Sequence, residues 1–343
     1  MIPSSSQMAV ELRDAPLAVE KQAQGLARPL AALVARLRQT APVVVVTCAR
    51  GSSAHAATYG KHLIERYLGI PVAAAAPIIC SVYGEQLRLK NQLFLAISQS
   101  GSSDDLIEQA ISARAAGAVT TCIVNDTESP LAQACEFMLP MGAGAERSVA
   151  ATKTFITSLT ALARLMALWR SDADFGGAID RLPERLSASM ELDWSAALPS
   201  FAETDSLVTI GRGPTLAIAR EAALKFKETC NLHAEPFSGA EFLHGPVALV
   251  TASYPLLLFM PTDAAAAGMR QLAEKLHAKG AALFSAEPGP AADGRLSALP
   301  ADHPETDAIA LIQSFYGFLP QLATARGTDV DRPPHLQKIT YTR

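Results

Sequence analysis

Ser98-Gln99-Ser100-Gly101-Ser102-Ser103 puts four hydroxyls and a glycine where a predicted strand gives way to a predicted helix. Residues of these types at such a junction can cradle a phosphate. The first N–H groups of a helix lack intrahelical partners, and the helix dipole is positive at that end. Hydroxyls add neutral donors, and Gly101 allows the backbone close to a ligand. The other reading is a serine-rich turn in which Ser103 or Asp104 serves as an N-cap. Gly51-Ser52-Ser53 ends an earlier predicted strand. Both serine clusters would then lie at the carboxyl edge of a parallel sheet, where open α/β sheets bind ligands. Neither GxxxxGK[ST] nor GxGxxG occurs, so a small phosphomonoester suits these loops better than a nucleoside triphosphate or a dinucleotide.

A second concentration of chemistry lies in the other half. Glu221, Lys225 and Glu228 are spaced i, i+4, i+7, which puts them on one helix face. Such a row is either acid–base machinery or a salt-bridged solvent face. His244 precedes Gly-Pro and is held at a turn or helix end, in a structural or a functional role. His233-x-Glu235 has metal-ligand residue types but no third ligand at a motif spacing, so no metal site is expected.

The elements that position these residues alternate. The stretch 16–39 has apolar residues at helical spacing. PVVVVT at 42–47, LFLAI at 93–97 and TCIVN at 121–125 read as strands, each followed by a helical pattern, with a long helix from about Thr152 to Trp169. LVTI at 207–210, LLLF at 256–259 and AALFS at 281–285 repeat the order. Strands alternating with helices of this length predict an α/β fold with parallel sheets. Paired strands start 164, 163 and 160 residues apart (207 against 43, 256 against 93, 281 against 121), which points to an internal duplication. The turn matching the first serine loop, Met260-Pro-Thr-Asp-Ala-Ala-Ala, lacks the serines. The predicted segments are an N-terminal helical stretch at 1–40, a first domain at 41–170, a linker at 171–197, a second domain at 198–327 and an irregular tail at 328–343.

Composition bounds the function. The 343 residues suit about two domains. With 49% hydrophobic and 18% charged residues, the chain can bury large cores. A net charge of -4 without basic runs gives no nucleic-acid footprint. The longest apolar stretches, such as YPLLLFMP at 254–261, fall short of the ~20 residues of a membrane span. No signal-peptide pattern is visible. Five scattered cysteines with no CxxC suggest buried thiols in a reducing compartment. The expectation is a cytoplasmic protein with no membrane or nucleic-acid partner.

Five ordered segments resemble the sugar-isomerase (SIS) domain family: GSSAHA (51–56), ISQSGSSDD (97–105), SVAATKTF (148–155), EAALKFKETCNLHAEPFSGAEFLHGP (221–246) and DVDRPPHLQKIT (329–340). The likeness is greatest to the isomerase half of glutamine–fructose-6-phosphate aminotransferase and to SIS-type glucosamine-6-phosphate deaminases. It implies two tandem SIS domains, each a parallel sheet flanked by helices in a flavodoxin-like three-layer arrangement. It implies that Ser98, Gln99, Ser100 and Ser103, with Ser52 and Ser53, hold a sugar phosphate, and that Val149, Ala150 and Lys153 line the sugar. Glu228 matches the base that moves a proton between C1 and C2. Glu221 and Lys225 match its neighbours. His244 matches the ring-opening histidine lent by the other subunit of a homodimer, and Lys338 matches a tail lysine able to form a Schiff base. No cofactor or metal is implied. The aminotransferases begin with a glutaminase domain, whereas this sequence has about 40 residues before its first strand. The expectation is therefore isomerising deamination of glucosamine-6-phosphate, with another phosphosugar isomerase or a deglycase as the alternative and a non-catalytic sugar-phosphate sensor as a second.

Overall fold

The computed structural model describes residues 6–338; residues 1–5 of the predicted N-terminal segment and 339–343 of the predicted tail lie outside the described residues. The chain begins with α1 (Gln7–Arg13) and α2 (Ala15–Thr40). Then come β1 (Val45–Ala49), α3 (Gly51–Leu68), β2 (Val72–Ala74), α4 (Ile78–Ser81), β3 (Leu93–Ser98), α5 (Asp104–Ala115), β4 (Val119–Val124), α6 (Pro130–Ala134), β5 (Phe137–Pro140) and α7 (Lys153–Arg170). After α8 (Ala173–Ser189) and α9 (Leu198–Ala202) follow β6 (Ser206–Gly211), α10 (Thr215–Cys230), β7 (His233–Ser238) and α11 (Gly239–Phe242). The last elements are β8 (Pro255–Phe259), α12 (Ala266–His277), β9 (Ala282–Pro288), β10 (Arg295–Ala298) and α13 (Pro304–Ala325).

The strands form two five-stranded sheets, ordered β2-β1-β3-β4-β5 and β7-β6-β8-β9-β10. Every strand pairing is parallel. Counted from its own first strand, each sheet has the order 2-1-3-4-5, that of the flavodoxin-like doubly wound fold. The alternation of strand and helix therefore builds the predicted α/β architecture twice.

The strands anticipated from the sequence are the central ones. β3, β4 and β8 are buried at every residue, because parallel strands covered on both faces read as continuous apolar runs. The predicted linker, 171–197, contains helix α8, whose Phe175, Ala178, Ile179, Leu182 and Leu186 are buried at helical spacing.

Two compact units interleave along the chain. One takes residues up to Pro16, Arg147–Thr152 and Arg181–Lys338; the other takes Leu17–Glu146 and Lys153–Asp180. The hydrogen bonds show why the first two helices part company. The Leu12 carbonyl of α1 accepts from Gln313 Nε2 of α13 at 3.2 Å. Gln22 Nε2 of α2 instead donates to the carbonyls of Met141 and Thr157, at 2.8 and 2.7 Å. In the unit holding the second sheet, Phe201 stacks edge-on against Phe226, Phe284 and Phe318. Burying each such ring contributes about 1.5–3 kcal/mol.

Candidate active site

The two serine clusters of the first half stand at the carboxyl ends of adjacent parallel strands, β1 and β3. Ser52 and Ser53 occupy the first turn of α3, and both are half-buried. The 98–103 loop folds on itself. The Ser98 hydroxyl accepts from Gly101 N at 3.1 Å and that of Ser100 accepts from Ser102 N at 3.3 Å. Gln99 and Ser100 are half-buried. Ser103 is the N-cap of α5, but its side chain makes no capping bond. Among the described residues, the N–H groups of Ser103, Asp104 and Asp105 have no hydrogen-bond acceptor. The loop thus presents unused donors at a helix start, as an anion site requires.

Two neighbours fix the loop. Gly101 sits at φ +62°, and a Cβ there would fall 2.1 Å from Ser129 Oγ. The Gly101 carbonyl accepts from Leu131 N at 3.1 Å, and that of Gln99 accepts from Asn125 N at 3.1 Å. Asp105 in the first turn would oppose an anion, but Arg50 at the end of β1 pairs with it at 2.5 Å. That ion pair ties the α3 and α5 starts together. The role of Arg50 was not assigned from the sequence, since its partner lies 55 residues away.

Lys153 is buried at the start of α7. Glu146 anchors that helix start, accepting from Thr154 N at 3.1 Å and Thr154 Oγ1 at 2.5 Å.

In the other unit, α10 brings together the charged row read from the sequence. Lys225 Nζ lies 3.2 Å from Glu221 Oε1 and 2.5 Å from Glu228 Oε2. The row is not a solvent face: Lys225 is 1% exposed, Glu221 0% and Glu228 22%. Burial alone would push the Lys225 amine down, but Glu221 and then Glu228 outweigh it and hold its pKa above the ordinary 10.5. Tyr316 of α13 donates its hydroxyl to Glu221 Oε1 at 3.0 Å. Glu228 is therefore oriented through one oxygen, and its Oε1 has no hydrogen-bond donor among the described residues. This is the geometry a proton-shuttling carboxylate needs: one oxygen fixed, one available.

Lys338 lies in the tail and donates from Nζ to the Ser148 carbonyl at 2.6 Å. Val149 is half-buried and Ala150 buried, next along that strip of chain. His244 stands apart. It follows α11 on an exposed turn, where its N–H donates to the Glu241 carbonyl at 2.9 Å. It lines an open groove with Arg212 and Lys275. No hydrogen bond joins it to Glu228 or Lys338 among the described residues. Glu11, Ser148 and Asp331 were given no role from the sequence, though they surround the Lys338 contact; Glu11 and Asp331 bond the same residue from opposite ends of the chain.

Among the described residues, no His, Cys, Asp and Glu cluster could hold a metal ion, and no helix is long and apolar enough to cross a membrane.

The chain is 33% identical over 332 residues to the glutamine–fructose-6-phosphate aminotransferase of Symbiobacterium thermophilum, covering 89% of this chain and 52% of that protein. It is 30% identical to that of Zymomonas mobilis, covering 96% and 58%. The chain thus spans about half the length of the curated relatives it matches. A provisionally named phosphosugar isomerase from Silicibacter pomeroyi superposes with a TM-score of 0.90 at 42% identity, over 95% of this chain and 100% of that one. The C-terminal domain of the aminotransferase from Francisella tularensis gives 0.84 at 25%, over 96% and 98%. A glucosamine-6-phosphate deaminase from Thermotoga maritima gives 0.77 at 22%, over 98% and 100%, a likeness of fold alone. The SIS domain profile matches residues 43–168 and 200–285, once on each sheet. With the profile repeated over most of its length, the chain belongs to the SIS domain family.

Proposed function

We propose that the chain is a phosphosugar isomerase that performs isomerising deamination of glucosamine-6-phosphate to fructose-6-phosphate and ammonia. The observation that carries this reading is the Glu221–Lys225–Glu228 row, in which buried Lys225 holds half-buried Glu228 through one oxygen and leaves the other available. The relatives' names support the substrate class.

In this reading, the 98–103 loop takes the sugar phosphate on the N–H groups of residues 103–105 and the serine hydroxyls. His244 opens the ring by moving a proton between the C1 hydroxyl and the ring oxygen; histidine suits that step near neutral pH. It serves the site of a second copy of this chain, in keeping with its exposed turn and its lack of a bond to Glu228. Glu228 takes the C2 proton and returns it to C1. As the C1 carbonyl oxygen gains a proton to become a hydroxyl and the C2 amine gives one up, that amine becomes an imine. Water adds to that carbon and ammonia leaves, giving the ketose. Lys338 can accept the C2 carbon first, displacing ammonia as a lysine imine that water then hydrolyses.

The test is to incubate the purified protein with glucosamine-6-phosphate and follow fructose-6-phosphate and ammonia together. Equal rates of both are expected, and Glu228→Gln should lower kcat by roughly 10²–10⁴-fold. Aldose–ketose exchange on other phosphosugars without ammonia would establish the plain isomerase instead. Tight binding with no turnover on any phosphosugar would establish a sensor.

A further inference from the structure

Three constraints converge on Ser148, the residue whose carbonyl holds the Lys338 amine. Glu11 of α1, only 2% exposed, accepts from the N–H of Arg147 and, at 3.2 Å, from that of Ser148. Asp331 of the tail accepts from the Ser148 hydroxyl at 3.3 Å. The same Asp331 carboxylate takes the first two N–H groups of α1, Gln7 at 2.7 Å and Met8 at 2.9 Å. Its own N–H donates to Asp329 Oδ1 at 2.9 Å. On the other side of Ser148, the carbonyl accepts from Lys338 Nζ at 2.6 Å.

A buried carboxylate that spends itself on backbone N–H groups of a loop makes charge-assisted bonds of the stronger kind. Here they fix the backbone through Arg147 and Ser148, the residue whose carbonyl seats the amine. Asp331 closes the arrangement, because one side chain caps α1, grips Ser148 and belongs to the tail that carries Lys338. The first helix and the last residues of the described chain, more than 300 positions apart in sequence, are thus one device.

We propose that Glu11 and Asp331 are positioning residues that seat the Lys338 amine, acting through Ser148, for attack on the C2 carbonyl carbon of a ketose phosphate. The inference rests on the role given to Lys338 above. In the step concerned, the lysine nitrogen forms a bond to C2, the carbonyl oxygen leaves as water and a C=N bond results. Added borohydride supplies the hydride that reduces this imine to a stable amine, so the step can be counted.

The experiment uses the full chain with fructose-6-phosphate and borohydride, and locates the adduct by peptide mass spectrometry. Wild type should trap at Lys338, and Lys338→Met should not. Glu11→Ala and Asp331→Ala should each trap about 10–100-fold more slowly, the range expected for a misplaced reacting group. Their kcat should fall in parallel while KM changes by less than about threefold, and Asp331→Asn, which keeps an acceptor, should recover part of the loss. A folded Glu11→Ala or Asp331→Ala that traps at the wild-type rate overturns the proposal and leaves the role of Lys338 standing. If Glu11→Ala fails to fold, Asp331→Ala and Ser148→Gly decide alone. If wild type forms no adduct, the reading of Lys338 fails instead. The seat is then read by acetic anhydride labelling of Lys338, which Asp331→Ala should speed several-fold and whose unchanged rate overturns the proposal.

Discussion

Lys225 shows how a residue read as either machinery or surface is resolved by burial. Its amine lies within 3.2 Å of one carboxylate and 2.5 Å of another, almost wholly out of water. Removing the cation leaves Glu221 uncompensated in the interior, so Lys225→Met should cost about 3–5 kcal/mol in urea or thermal unfolding. The sign of the pH dependence follows. The folded pKa of Lys225 is raised above 10.5, so its contribution is fully present below that value and is lost as pH rises through the higher folded value. The stability gap between wild type and variant should stay flat from neutral pH to about 10 and close above it. A gap that closes well below pH 10 would contradict the assignment. The cysteines give an independent check. Burial pushes Cys48 up to about 12 and Cys230 up to about 11. Cys135 is raised too, through its hydrogen bond with Cys122 and its burial. Cys80 alone among the five is only half-buried. Thiol reagents act on the thiolate, so a native titration should label Cys80 first, and all five should react only after unfolding.

At the scale of elements, the phosphate loop is shaped by one glycine. Gly101→Ala must place a Cβ 2.1 Å from Ser129 Oγ while holding φ +62°. The left-handed backbone and the overlap together should cost about 2–4 kcal/mol. Because the loop must shift to relieve the contact, KM for the phosphosugar should rise more than kcat falls. A variant with unchanged KM would show that the 98–103 loop does not hold the phosphate. The glycine's place at a strand-to-helix junction was legible in the sequence; its clash partner, on a turn 28 residues on, was not. The strands divide along a similar line. The six strands read from the sequence are the interior strands of the two sheets, and the four that escaped, β2, β5, β7 and β10, are the four edges. An edge strand pairs on one side and is part-exposed, so it is short or polar and can carry proline. β5 reads FMLP and β7 reads HAEPFS. The alternation of patterns therefore reveals the architecture, while its margins follow from pairing that no local pattern records. The same holds for the candidate site. Glu221, Lys225 and Glu228 share a helix and were visible together, whereas Glu11, Ser148 and Asp331 meet only through the fold.

At the scale of the whole chain, one topology occurs twice with different helix starts, and this bears on how many sugars each chain can bind. In the first half, the start of α5 carries three N–H groups without acceptors among the described residues, and the nearby Asp105 charge is paired with Arg50. The corresponding turn of the second half is already filled from within. Asp263 Oδ1 accepts the N–H of Ala265 at 2.9 Å, and the Asp263 carbonyl accepts that of Ala266 at 3.0 Å. Thr262, the one hydroxyl there, donates to Asp307 Oδ2 at 2.6 Å. A carboxylate seated at a helix start takes the donors an anion would use and repels the anion as well. Calorimetric titration with fructose-6-phosphate should therefore give one site per chain, and Ser100→Ala together with Ser103→Ala should weaken that single site. Two equivalent sites per chain, or a single site insensitive to both serines, would show that the duplicated halves have not divided their roles as the two loops suggest. If Asp263→Ser gains a second, weaker site, the carboxylate is what keeps the second half from binding.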